Sequence, residues 1–145
     1  MGILKPMGFD SYAYQMGTFP IASSDVGRIK DGMFCKLNAN HEICIAGAGE
    51  KGFMVLFPKN PNMKGFAISQ GTFYVGAFTL NIDEECFDTT KTYQALENLY
   101  VGADGKLTND NAVAENPIPV AQVLRPTRTF GDKKALAITS YNGII

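Results

Sequence analysis

The segment at 34–46, "FCKLNANHEICIA", recurs in outline at 98–110, "NLYVGADGKLTND". Ala39-Asn40-His41-Glu42-Ile43 falls on Ala103-Asp104-Gly105-Lys106-Leu107 at a constant offset of 64. Each copy is two short apolar runs around a turn. Each is followed by an apolar run that stops at proline, "GFMVLFP" at 52–58 and "VAQVLRP" at 120–126. A hairpin with one covering strand cannot bury both of its faces. Two such units packed face to face, or closed into one barrel, can. The repeat therefore predicts an all-β chain built from two related hairpin-plus-strand units.

The rest of the chain agrees with strands joined by turns. It holds 15 Gly, 7 Pro, 10 Phe and 6 Tyr, and only 19% charged residues, too few for long Glu- and Lys-rich surface helices. A chain of 145 residues buries roughly two-thirds of its unfolded surface, enough for one core. Residues 21–145 are read as a single β-rich domain. Residues 1–20 mix Gly2, Pro6, Gly8, Gly17 and Pro20 with Tyr12, Tyr14 and Phe19, and read as an extended N-terminal arm. A first strand laid on the core, or simple disorder, stays open as an alternative.

In the first hairpin Asn40-His41 is expected as a two-residue loop, since Asn tolerates left-handed backbone. Leu37 would then face Cys44 and Cys35 would face Ala46, placing both thiols on one face as small buried hydrophobes. In the second, Asp104-Gly105 is a strong hairpin signal. The run "FAISQGTFYVGAFTLN" at 66–81 predicts two further strands, and "ALAITSYN" at 135–142 the last one. "IDEECFDTTKTYQALEN" is the one place for a helix, of one or two turns, because its acids suit a helix N-terminus while its threonines do not suit an interior.

Chemistry-bearing patterns are few. "GAGEKG" at 47–52 matches a dinucleotide-binding fingerprint by letter, but no helix pattern follows and no acid stands about 20 residues on, so a glycine-rich connection is expected. His41 is the one histidine and sits at a turn tip without a nucleophile or orienting acid. Cys35, Cys44 and Cys86 lack metal-ligand spacing and form no even framework, which predicts reduced thiols and synthesis inside a cell. "DEE" at 83–85 and "NDN" at 109–111 read as solvated acidic loops. No catalytic, metal or cofactor-binding residue is assigned, and no cofactor is expected.

A net charge of −1 offers no broad attraction to nucleic acid or an anionic membrane, the opening residues lack the apolar run of a signal peptide, and no run reaches the ~18 apolar residues of a membrane span. The one concentration of cations is "RPTRTFGDKK" at 125–134, read as an exposed loop, with contact to an acidic partner surface as the sharper alternative.

"VGRIKDGMFCKLNANHEICIAGAGEKGFMVLF" followed by "YVGADGKLTNDN" and "NPIPVAQVL" resembles the capsid decoration, or cement, proteins of tailed bacteriophages, over residues 26–125. The resemblance implies a compact β-barrel or β-tulip-like domain on the outside of an icosahedral head, bound to the major capsid protein and to itself, commonly as a homotrimer. It implies a virion location after synthesis in the host bacterial cytoplasm, and no enzymatic activity. It transfers no contact residues. From the residues themselves, Tyr12, Tyr14 and Phe19 on the arm are expected as aromatic anchors, with Arg125 and Arg128 second. The rival expectations are a free-standing OB-like barrel that binds carbohydrate or single-stranded nucleic acid, and a tail or baseplate component.

Overall fold

The computed structural model describes residues 3–6, 14–56, 70–75 and 79–140. Its strands form two sheets in which every ladder is antiparallel. The first holds β2 (Tyr14–Pro20), β3 (Phe34–Leu37), β4 (Ile43–Ile45), β5 (Phe53–Leu56) and β6 (Gln70–Val75), in the order β2-β6-β5-β3-β4. The second holds β7 (Thr79–Asp83), β8 (Asn98–Val101), β9 (Leu107–Thr108), β10 (Ala121–Phe130) and β11 (Lys133–Ser140), in the order β7-β11-β10-β8-β9, with β1 (Ile3–Pro6) added outside β7. Numbered within its own unit, each set of five strands has the same order, 1-5-4-2-3.

The repetition extends to register. Leu37 pairs with Ile43 and Val101 with Leu107, both at the offset of 64 seen in the sequence. After the first strand of each unit one isolated parallel bridge reaches the third: Ile21 to Ile43, and Phe87 to Leu107. Matching backbone bonds run from Ala22 N to Ile43 O and from Asp88 N to Leu107 O, both at 2.9 Å. In each unit the chain just past the first strand thus meets the third strand at a single residue pair rather than along a ladder. The repeated unit is larger than the expected hairpin and strand, because the strand before each hairpin and the one after it belong to it too.

The first hairpin corrects the expected register. Its loop is Ala39–His41, closed by Asn38 N to Glu42 O at 2.9 Å, not the two residues Asn40-His41. The Asn38 side-chain oxygen accepts from the Asn40 and Glu42 amides at 2.9 and 3.0 Å, and His41 takes the left-handed position with φ 59°. Sliding the pairing by one residue moves every side chain to the other face. Cys35 pairs with Ile45, and Cys44 pairs with Lys36, so the two thiols lie on opposite faces rather than sharing one. In the second hairpin Asp104 and Gly105 have φ of 56° and 75°, as a type I′ turn requires. Lys106 N bonds Ala103 O and Gly102 N bonds Lys106 O, so Gly102 and Ala103 together oppose Lys106 as a bulge.

No helix forms in the segment expected to hold one or two turns. Asp83 Oδ1 accepts from the Glu85 amide at 2.9 Å, and Asp88 Oδ1 accepts from the Thr90 amide at 2.9 Å, diverting amides a helix would use. Among the described residues the one right-handed helical element is the 3-10 turn Ser23–Asp25; Ala103–Gly105 has positive φ at Asp104 and Gly105 and is the turn of the second hairpin.

One apolar cluster spans both units, from Cys35, Ile43, Met54 and Phe73 in the first to Phe87, Leu99, Leu107, Leu136 and Ile138 in the second. Phe73 holds its centre in the first unit, with the rings of Phe19 and Phe53 at 5.8 and 5.7 Å. The units are joined at Gly49, whose amide donates to Val101 O at 2.8 Å and whose carbonyl accepts from Ile118 N at 2.9 Å. Cys86 Sγ lies 3.4 Å from Asp31 O across the same junction.

Candidate interaction surface

The cation-rich segment at 125–134 is not a loop. β10 runs through Pro126 to Phe130, turns at Gly131-Asp132 and returns as β11, a two-stranded ribbon with Phe130 opposite Lys133. Nor does Pro126 end the strand. The register slips between Val123 and Arg125 and again between Arg125 and Arg128, and these bulges take up a residue that cannot donate to the ladder. On its outer side β10 meets β8 only at Ala121 and Gln122, and Val123 exchanges bonds with Leu96 and Glu97. Among the described residues no strand pairs with that edge beyond Val123.

Arg125 is exposed on this ribbon, opposite Ala137. Arg128 is half-buried: its Nη2 donates to Asn81 Oδ1 at 3.2 Å and its guanidinium carbon lies 5.0 Å from the Phe130 ring centre. Its Nε is buried, with no hydrogen-bond partner among the described residues. The Phe130 ring is 48% exposed, large for a phenylalanine, and was not singled out by sequence. The signal was there in its position two residues from Arg128, which places both on one face of a strand.

The arm aromatics separate. Tyr12 lies outside the described residues. Tyr14 starts β2, its backbone paired with Val75. Phe19, in the same strand, packs on Phe73 of its own chain. The structure therefore does not bring Phe19 together with Arg125 and Arg128; Phe19 belongs to the first sheet and the arginines to the second.

Elsewhere most reactive groups are turned inward, Cys44 being the half-exposed thiol. Burial pushes the Cys35 and Cys86 thiols well above their ordinary range, with Cys44 a further cause for the first and Asp83 for the second. Burial also raises the Tyr93 phenol, aided by Asp88, and its hydroxyl donates to Asp88 O at 2.7 Å. Asp83, expected in a solvated loop, is instead 1% exposed within β7. At 109–111, Asn109 Nδ2 donates to Thr92 O and Glu97 Oε2, and Asp110 Oδ1 accepts from the Ala112 amide, so this segment staples its own loops. In "GAGEKG" the glycines answer to space: a Cβ on Gly49 would stand 3.3 Å from the Pro117 backbone, and one on Gly52 3.2 Å from the Cys35 carbonyl oxygen. Lys36 and Glu50 pair beside it at 2.6 Å.

Two shallow grooves flank the second hairpin. One, of about 310 Å³, is lined by Arg28, Lys30, Met33, Ile45, Glu85 and others at the junction of the units. The other, of about 390 Å³, is lined by residues that include Asp88, Lys91, Asp104, Lys106 and Asp110. Among the described residues no three His, Cys, Asp or Glu side chains gather as a metal site, and no helix is long and apolar enough to cross a membrane.

Compared with known proteins, the chain matches no family model and no curated sequence.

Proposed function

We propose that the chain is a structural virion protein that binds the outer surface of an icosahedral phage capsid and stabilises contacts between capsomers. Its partners on this reading are the major capsid protein and further copies of itself, assembled as a homotrimer. The observation that carries the reading is the division of chemistry between inside and outside. The Cys35 and Cys86 thiols, the buried acids and the Tyr93 hydroxyl are committed to the chain's own core and backbone, while the β10–β11 ribbon presents cations and an exposed ring. The likeness of residues 26–125 to decoration proteins supports it. A part that binds an assembled shell and not its separated subunits favours the shell by linkage, and many weak copies add by avidity.

The test mixes the purified chain with empty shells, lacking it, of the phage that encodes it. Saturable co-sedimentation at a fixed number of copies per capsomer, with raised resistance of the shells to heat, is the expected result. Absence of shell binding, or sub-micromolar binding to an oligosaccharide or single-stranded DNA instead, overturns the reading in favour of a free-standing ligand module. Density at the tail rather than the head in electron micrographs would move the chain to a tail or baseplate.

A further inference from the structure

The ribbon carries Arg125, Arg128, Lys133 and Lys134 within ten residues, against one acid, Asp132. That is a net +3 on a chain of −1, which leaves −4 on the remainder. Among the described residues none of the four cations forms an ion pair; Arg128 has a neutral partner, Asn81, and Lys133 feels Glu85 only at a distance. Four charges are thus held on a two-stranded ribbon whose outer residues are exposed or half-buried throughout.

We propose that this ribbon docks into an acidic protein surface, with Arg128 donating from Nη1 to a partner carboxylate and Phe130 laying its ring beside it. The identity of that surface as a capsid rests on the virion reading above; the chemistry does not. Three features select this mode. Recognition by strand addition is disfavoured, because Pro126 and two register slips break the free edge of β10 as a template. Side chains, not backbone, therefore face the partner. A nucleic-acid partner fits less well, since phosphate tracking needs an extended positive surface and successive stacking rings, and the ribbon offers one exposed ring on a body that is otherwise negative.

Arg128 is where specificity concentrates. Its Nε is closed off from any docking partner and its Nη2 is held by Asn81, which fixes the plane of the guanidinium and leaves Nη1 to donate to a carboxylate. Lysine has no second donor for Asn81 to hold and cannot be fixed in that plane. Arg125, Lys133 and Lys134, all exposed, supply the field that draws the acidic surface in.

The experiment measures binding of the full chain to immobilised poly-L-glutamate, to a single-stranded oligodeoxythymidylate and to the empty shells. The variants are Arg125→Glu/Lys133→Glu/Lys134→Glu, Arg128→Lys and Arg125→Lys, each checked for an unchanged melting temperature. The triple variant is expected to lose about tenfold or more in poly-glutamate affinity, and the wild type to weaken as salt rises. Arg128→Lys is expected to lose several-fold on the shells, and Arg125→Lys little. Equal binding by the triple variant, or tighter binding of the oligonucleotide than of poly-glutamate, overturns the docking mode. Equal effects of the two Arg→Lys changes overturn the role of Arg128. Shells that bind the triple variant normally would sink the ribbon and spare the capsid reading; ribbon-dependent poly-glutamate binding without shell binding would do the reverse.

Discussion

Gly105 of the second hairpin sits against Ile45 of the first so closely that a Cβ built on it would stand 2.8 Å from Ile45 Cγ2. Met33 Cε closes the same spot at 3.0 Å. The glycine serves two needs at once, a φ of 75° that completes the turn and the contact by which one unit packs on the other. Ile45 is β-branched and has little rotameric freedom with which to yield.

Gly105→Ala is therefore expected to destabilise the chain by about 2–3 kcal/mol, from left-handed strain and overpacking together. Gly131→Ala provides the control. Its φ is 62°, but nothing lies within 4 Å of the added Cβ, so strain alone, about 1 kcal/mol, should appear. Urea denaturation of both variants measures the difference. Equal losses would mean that the junction of the units yields freely at Ile45.

The register of the first hairpin is held by one side chain. Asn38→Ala removes the acceptor for the Asn40 and Glu42 amides and should cost about 1–2 kcal/mol. Asn38→Asp keeps that oxygen, though it sets a second charge beside Glu42, and should cost less. If the alanine variant unfolds at the wild-type urea midpoint, the loop is closed by its backbone alone.

What was legible in the sequence was local. The turn signals at Asn40 and Asp104-Gly105, and the apolar runs beside them, are short-range chemistry, so the doubled unit could be read from the offset alone. The register was not legible, because it depends on where the Asn38 side chain bonds and on a bulge at Gly102 and Ala103. Nor was the 1-5-4-2-3 order, which pairs β2 with β6 across the long stretch between Pro20 and Gln70. The absent helix has the same kind of cause, since Asp83 and Asp88 bond amides two residues on. The ribbon was misread because Pro126 looks like a stop, and an edge position with bulges tolerates it. Of the expected contact residues, Arg125 and Arg128 share that ribbon and Phe19 lies in the other sheet.

Thiol reactivity separates the three cysteines. Cys35 and Cys86 are buried, Cys44 is half-exposed, and burial raises the thiol pKa of all three. Only the thiolate reacts. A disulfide-exchange reagent at mildly alkaline pH should modify Cys44 alone, and slowly, with the other two appearing only in denaturant. A rapid second equivalent from the folded chain would show that the core around Cys35 or Cys86 opens locally.

Asp88 and Glu50 are held below their ordinary range by different means, and salt should tell them apart. Asp88 is lowered first by the Thr90 hydroxyl at 2.6 Å and then by the Thr90 amide, with Lys91 and Lys106 as weaker causes. Glu50 is lowered first by its bond to Lys36, a pair whose side chains are 46% and 41% exposed. A depressed folded pKa means that the unfolded chain takes up protons first as pH falls. The stability each group adds is therefore complete above the ordinary carboxylate value, about 4, and is lost as pH drops through the folded value. High salt screens the exposed Lys36 and Glu50 pair but leaves the short hydroxyl bond of Asp88 largely intact. Asp88→Asn should then flatten the acid limb of the stability curve at both low and high salt, whereas Glu50→Gln should flatten it, slightly, at low salt only. Carboxyl titration by NMR in Thr90→Ala checks the first cause directly: the Asp88 value should move up toward the ordinary range, and if it stays, the amide of residue 90 and the nearby lysines rather than the Thr90 hydroxyl hold it down.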